Sequence, residues 1–425
     1  MKKSLLRAAL VACLPFGAMA LIVGSTPALA ADKTADAPKV SKAVSKPLSE
    51  CKKALDAKDY NTAIAKCSEA RAVADLTDYD KYLIERFIGF AYYFNNDRVN
   101  AGKSFASVIK NPACPPDDLQ NVIGGAIELA AEAKDGPLVI ELVQIAEKSK
   151  ITNANIYGPI AQYFYSANDF ANTILYTQKG IDLSLAQGKV PQYGLYQLLT
   201  FSYDKQKDRT NEIKGLSMMA RDYNKPEDWK YLLDYSLDFL PRGNKNAAEV
   251  AALDIYRLRL VLGADWSGQN VSEAADAADA IKAFGDQRTF LQIGVSKGFF
   301  SPAKIGPLVA KNNLDAKKDE PVLPQIEKVA KDGKALTSVA EAYYGYGRFA
   351  DAARAAQNAV NAGGAYVAEA KLVLAMAQAR QGNEAAAKQT LAGFSGDPAL
   401  VRVADLWTAY LSRRTQTAEP APATH

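Results

Sequence analysis

The chain has 425 residues, 48% hydrophobic and 23% charged, with a formal net charge of +4 and a single histidine, His425. That composition is globular, and one terminal histidine excludes His-based triads, HExxH zinc sites and acid–base work by imidazole. Three of the positive charges, Lys2, Lys3 and Arg7, lie at the extreme N-terminus; the remainder is close to neutral, which argues against nucleic acid or an anionic membrane as partner.

Met1 to Ala30 combines that basic start with an apolar run, Ala8 to Val23, and the small-residue ending Ala28-Leu29-Ala30. The pattern predicts a secretory signal peptide over 1–30, cut after Ala30. Leu10-Val11-Ala12-Cys13 is similar to the lipobox of bacterial lipoproteins, but only five residues separate Arg7 from Cys13. The expectation is therefore a periplasmic protein rather than an outer-membrane lipoprotein. No other segment approaches 18 consecutive apolar residues, so no membrane span is expected in the mature form. Residues 31–47, rich in Ala, Lys, Ser and Pro, read as a flexible leader.

From Leu48 onward, turn punctuation becomes regular. Asp59, Asp97, Asp135, Asp169 and Asp208 recur every 34 to 39 residues, each in a short polar corner such as Asn96-Asp97-Arg98 or Asn168-Asp169-Phe170. Asp and Asn tolerate the left-handed backbone that ends a helix and cap the helix that follows. Between corners, apolar residues come at helical spacing: Ile84, Phe87, Ile88, Ala91 and Tyr92 before the second corner, Ala101, Phe105 and Val108 after it. A sixth pair of helices is expected around Arg242-Gly243-Asn244, followed by a less regular stretch with an Ala-rich helix from Val271 to Phe284. Residues 48–312 thus form an expected N-terminal helical array. The charged segment 313–324, with Lys317-Lys318-Asp319-Glu320-Pro321, reads as a connector, 325–411 as a C-terminal array with a capping helix, and 412–425 as a disordered tail.

The clearest repeat is in that C-terminal array. Gly347-Arg348-Phe349 is preceded by Ala340 and Tyr343 and followed by Ala352, Ala356 and Ala359. Gly382-Asn383-Glu384, 35 residues later, is preceded by Ala375 and Gln378 and followed by Ala387, Leu391 and Phe394. Small residues three and four apart keep a helix face flat so that two antiparallel helices approach closely. This order of small and large residues at this period resembles the tetratricopeptide repeat. The resemblance implies an all-α fold, an α–α superhelix of helical hairpins stacked on sequence neighbours.

Registering each hairpin on its small residue has further implications. Cys51 takes the place of the small residue of the first helix and Cys67 that of the large residue of the second, so the two are expected to be disulfide-bonded. Cys114 is left without a mate. The groove of such an array is expected to be lined by Phe90, Tyr93, Gln162, Tyr165, Phe201, Glu341, Tyr344 and Met376. Aromatics in a groove suit a peptide, because they supply contact area at low entropy cost.

Chemistry is otherwise sparse. Asp117-Asp118 and Asp319-Glu320 are adjacent carboxylates beside prolines, and read as caps or solvated charge. Gly345-Tyr346-Gly347-Arg348-Phe349-Ala350 spells G-x-G-x-x-A, but a helix rather than a strand precedes it. No P-loop, CxxC pair or GxSxG elbow occurs. No catalytic residue, metal or cofactor is expected, and repeats run too close to the end for a lysozyme-like catalytic domain. The expected role is a non-enzymatic scaffold that holds a protein or peptide partner in the cell envelope. A glycan-binding protein is the alternative, since 21 Tyr and 3 Trp could stack on sugars.

Overall fold

The computed structural model describes residues 38–414, and all regular structure among them is helical. The expected signal peptide, the start of the leader (31–37) and the tail beyond 414 lie outside the described residues. The chain divides into two compact units, residues 1–208 and 209–425.

Unit 1 is built of hairpins taken in sequence order. These are α1 (Lys42–Asp56) with α2 (Tyr60–Arg71), α3 (Asp78–Phe94) with α4 (Arg98–Lys110), and α5 (Pro116–Glu132) with α6 (Gly136–Lys148); α7 (Tyr157–Ser166) with α8 (Phe170–Ala186) and then α9 (Tyr193–Gln206) follow. The corners share one mechanism. Lys58, Asn96, Lys134, Asn168 and Lys207 adopt φ between 57° and 62°, a left-handed residue that stops each first helix. The next residue is the aspartate, and the side chains of Asp59, Asp97, Asp135 and Asp169 accept from the backbone N–H three residues on, capping each second helix.

Close packing within a hairpin depends on the small residues. A Cβ on Gly89 would come within 2.9 Å of the Phe105 ring across α3 and α4. Cys51 and Cys67 face each other across the first hairpin and are joined by a disulfide. Helix α1 begins at Lys42, inside the stretch expected to be leader, because Val44 and Leu48 are buried in the first hairpin. Ser41 ties this start to α3, donating its N–H (3.0 Å) and hydroxyl (2.6 Å) to Asp80. The remaining packing is local: α1 lies on α3, α5 on α7 and α7 on α9.

Unit 2 comprises α10 (Arg209–Tyr223), α11 (Pro226–Asp238), α12 (Lys245–Leu262), α13 (Gly268–Ala280), α14 (Phe284–Ser296) and α15 (Pro302–Asp319). It continues through α16 (Leu323–Val329), α17 (Gly333–Gly345), α18 (Phe349–Ala362), α19 (Val367–Arg380), α20 (Glu384–Leu391) and α21 (Pro398–Leu411). The marker residues of the first clear repeat, Ala340, Tyr343, Ala352, Ala356 and Ala359, are all buried; in the second, Ala375, Ala387 and Leu391 are buried and Gln378 and Phe394 half-buried.

The connectivity of this unit differs from the sequence reading. Helix α17 packs on α14, and α21 packs on α10 and α12, so the end of the unit returns to its beginning. The Arg414 N–H donates to the Arg221 carbonyl (2.9 Å), and Tyr410 meets Trp229 edge-on at 6.4 Å. Residues 325–411 therefore share a unit with 209–312, and α21, the expected capping helix, buries Leu406 and Trp407. The stretch 313–324 is helical, not an irregular connector. Its prolines, Pro321 and Pro324, fall in first-turn positions where no N–H is needed.

Candidate functional site

In unit 1 the first helix of each of the four hairpins, and α9 after them, presents two side chains at fixed offsets, seven and four residues before the corner aspartate. These are Lys52 and Leu55, Phe90 and Tyr93, Glu128 and Ala131, Gln162 and Tyr165, and Phe201 and Asp204. All but Phe90 are half-buried, packed enough to be held in place and open enough to be touched.

The row is chemically mixed. At its start, Leu55, Phe87, Phe90 and Phe94 line a narrow cleft between α1 and α3, flanked by Lys52 and Arg86. Phe94 is 40% exposed and stacks on Tyr60 at 5.6 Å. Tyr93 meets Phe94 edge-on at 5.5 Å and carries the Arg98 guanidinium over its other side at 5.7 Å. The cations there are already matched: Lys52 by Asp56 (2.6 Å), Arg86 by Asp118 (Nη2 to Oδ1, 3.2 Å) and Arg98 by Glu132 (2.8 Å). Asp118, expected to be a cap or solvated, thus anchors α5 to α3 and also accepts from the Tyr82 hydroxyl.

Further along, two acids, Glu128 and Asp204, are set among Ala131, Gln162, Tyr165 and Phe201. Burial, reinforced by the neighbouring Glu132, pushes the Glu128 carboxyl above the usual range, with Arg98 3.8 Å away as a partial counter-charge. Burial and then the charge of Asp204 raise the Tyr165 phenol, so the two lie close. The start of the row offers apolar surface beside matched cations; Glu128 and Asp204 are half-buried carboxylates farther along it, with Gln162, Tyr165 and Phe201 between them.

The expected groove residues separate on inspection. Tyr93, Gln162, Tyr165 and Phe201 lie half-exposed in the row; Gln162 donates to Ser166 (3.3 Å) and Tyr165 sits edge-on to Phe170 (5.8 Å). Phe90 is interior, edge-on to Phe105 at 5.1 Å beneath Arg86 at 5.4 Å. Glu341, Tyr344 and Met376 are also interior, at 8%, 5% and 0% exposure, and cannot line an open groove. The reason is the closure of unit 2: the face of α17 that would be free in an open array lies against α12 and α14. Lys52, Leu55, Glu128 and Asp204 were not foreseen, although the same count from each corner aspartate finds them.

What Glu341 does instead is bind Arg257. This arginine, 1% exposed on α12, reaches Asp254 (2.9 Å), Asp286 on α14 (2.7 Å) and Glu341 on α17, and lies 4.6 Å above the Tyr344 ring. One cation among three buried carboxylates cannot neutralise them all. Burial pushes Asp254 well up, with the Glu341 charge next in importance, and burial likewise raises Glu341. Nearby Glu369 is pushed up to about 7 by burial and then by Glu341. The group joins three helices and has no open approach for a substrate; its role is positional.

Two other features carry no chemistry of their own. Cys114 is held as a thiol, its pKa raised to about 12 by burial and then by Asp118, and it is no reactive thiolate at neutral pH. An open cleft of about 570 Å³ between α6, α7 and α8 contains Glu147, which accepts from Tyr176 (3.0 Å) and Lys179 (2.8 Å). Among the described residues no group of His, Cys, Asp and Glu is placed to hold a metal, and no helix is long and apolar enough to cross a membrane.

Buried small residues at fixed places, capped corners and helices paired with their neighbours are now all in place. The hairpins are tetratricopeptide-like. No family model and no curated protein matches the sequence. Among solved structures, the Cut9–Hcn1 hetero-tetramer of the APC/C is 12% identical with a TM-score of 0.24, covering 85% of this chain and 66% of that one. The TPR domain of P58(IPK) is 13% identical with a TM-score of 0.22, covering 87% and 98%, and yeast Tom70 is 12% identical with a TM-score of 0.20, covering 87% and 96%. Scores this low add no weight to the fold, which the hairpins carry by themselves.

Proposed function

We propose that the protein is a non-enzymatic scaffold whose unit 1 holds a segment of a partner protein along its row of half-buried side chains. The observation that carries this reading is the row itself: four hairpins and the helix α9 that follows them deliver side chains, nearly all half-buried, at one repeated offset from a corner aspartate. A complementary segment would place an aromatic or aliphatic anchor against Leu55 and Phe94, and a basic side chain towards Glu128. Aromatics supply contact area with few rotors to freeze, and half-buried carboxylates reward a matching cation more than exposed ones do.

The location proposed is the periplasm, within a cell-envelope assembly or export machinery. A leader with the features of a secretory signal and a Cys51–Cys67 bridge both suit an oxidising compartment. Tyr93→Ala together with Glu128→Gln is expected to reduce recovery of the partner in pull-downs from an envelope fraction by about tenfold, roughly 1.4 kcal/mol, with the helical spectrum unchanged. Unchanged recovery would remove the row as the binding face. Retention on purified cell-wall or capsular glycan, with no protein enriched, would replace the protein-scaffold reading by the glycan-binding one.

A further inference from the structure

Residues 302–329 form one nearly continuous helical run: α15, a single 3-10 turn at Glu320–Val322, and α16, with Asp319, Glu320, Val322 and Leu323 all in the right-handed region. Little of this run faces the interior. Helix α15 buries only Asn312 and Ala316, and α16 only Leu323. Val322, Ile326 and Val329 are 46%, 40% and 60% exposed. Their spacing of four and then three residues puts them on one helix face. Leu314, two turns before Val322, is exposed as well. Single exposed apolar residues are ordinary, but a ridge in register on the solvent side of a short helix is a surface seeking cover.

The charges around the ridge are unbalanced for a physical reason. Three of its four acids are turned to other work and only Glu320 is not: Asp315 pairs with Lys311 (3.1 Å), Asp319 accepts from the Tyr346 hydroxyl (2.9 Å), and Glu327 accepts from Tyr343 (3.0 Å) and Arg354 (2.7 Å). Lys317, Lys318, Lys328 and Lys331 are exposed and make no ion pair with a described residue. The outward face is therefore an apolar ridge with a basic flank.

We propose that this ridge is a second docking surface, and that it takes an acidic amphipathic helix of a partner protein. The partner's apolar face would lie on Val322, Ile326 and Val329, with its carboxylates against the four lysines. From Val322 to Val329 the ridge runs roughly 10 Å at helical rise and is one side chain wide, which fits the seam of another helix. A membrane surface asks for a broad apolar face instead. The ridge belongs to unit 2 and is basic where the row of unit 1 carries Glu128 and Asp204, so the two surfaces select different partners or different segments of one partner.

The test is site-specific photo-crosslinking of the full chain in its own cell, with the reactive residue at Ile326 or Val329 and a control at exposed Ser272. The expected product joins a segment with apolar residues three and four apart and a net negative charge. Its yield should fall about fivefold when Lys317→Glu, Lys318→Glu and Lys328→Glu are combined, because the attraction becomes repulsion. Crosslinks to a second copy, to lipid or to a segment without acidic character would overturn the proposal, and so would a yield no higher than at Ser272. If the triple variant does not fold, the identity of the segment crosslinked by the otherwise unaltered chain decides alone.

Discussion

Units 1 and 2 use the same element, a hairpin of two helices, and build different things with it. In unit 1 each hairpin leans on its sequence neighbours, and its ion pairs join hairpins one to one, Arg98 with Glu132 and Lys179 with Glu147 at the surface and Arg86 with Asp118 enclosed. In unit 2 the last helix returns to the first ones, and Arg257 with its three carboxylates is enclosed where α12, α14 and α17 meet. An open array adds up neighbour contacts and leaves one helix face free for a partner. A closed one spends that face on itself. This is why Tyr93, Gln162, Tyr165 and Phe201 remain touchable while Glu341, Tyr344 and Met376 do not.

The sharpest way to break the comparison is to remove Arg257. Arg257→Ala leaves three buried carboxylates without their cation and is expected to destabilise unit 2 by about 3–5 kcal/mol. Hydrogen exchange should accelerate over residues 245–345 and stay unchanged over 42–206; equal acceleration in both would mean that the units are not separate. The reciprocal change belongs to unit 1. Opening the bridge with Cys51→Ser frees a loop of 16 residues and should cost about 3 kcal/mol in the chain-entropy view, seen as faster exchange in α1 and α2 alone.

A smaller effect is expected at the crossing of α14 and α17. A Cβ on Gly285 would stand 2.5 Å from the Gly345 carbonyl, and backbone cannot yield as a side chain does. Gly285→Ala should lower the stability of unit 2 by about 1–3 kcal/mol, the usual range for overpacking, which urea titration would register.

The gentlest test is pH, to which α12 and α17 on one side and α1 and α3 on the other should respond in opposite directions. Asp254 and Glu341 have folded pKa values raised by burial. The folded unit 2 therefore binds more protons than its unfolded chain above the ordinary carboxyl range, and its stability falls as pH rises through the raised values. In unit 1, Asp80 is held low by bonds from Ser41 and Thr77 although burial opposes them, and Glu147 is held low chiefly by Lys179. Their contribution is present above the unfolded carboxyl pKa and lost as pH falls through the folded one. After correction for intrinsic rates, exchange in α12 and α17 should quicken as pH rises above the ordinary carboxyl range, and exchange in α1 and α3 should quicken as pH falls below it. The same direction in both would contradict the difference in where the charges are kept.

Helix content, corner positions and the small-residue contacts inside each hairpin were legible in the amino-acid order, because they depend on residues within about 20 positions of one another. The left-handed residue before each corner aspartate, the cap it makes and the Ala340–Ala359 contacts are of this local kind. The aromatic members of the unit 1 row were legible for the same reason, since one count from each corner gives them all. The closure of unit 2 was not. Arg257 and Glu341 are 84 residues apart, and no periodicity announces that a charged residue inside an apolar helix will meet a carboxylate there. Only folding decides which helix face is left to solvent, because burial belongs to the packed assembly and not to any one helix.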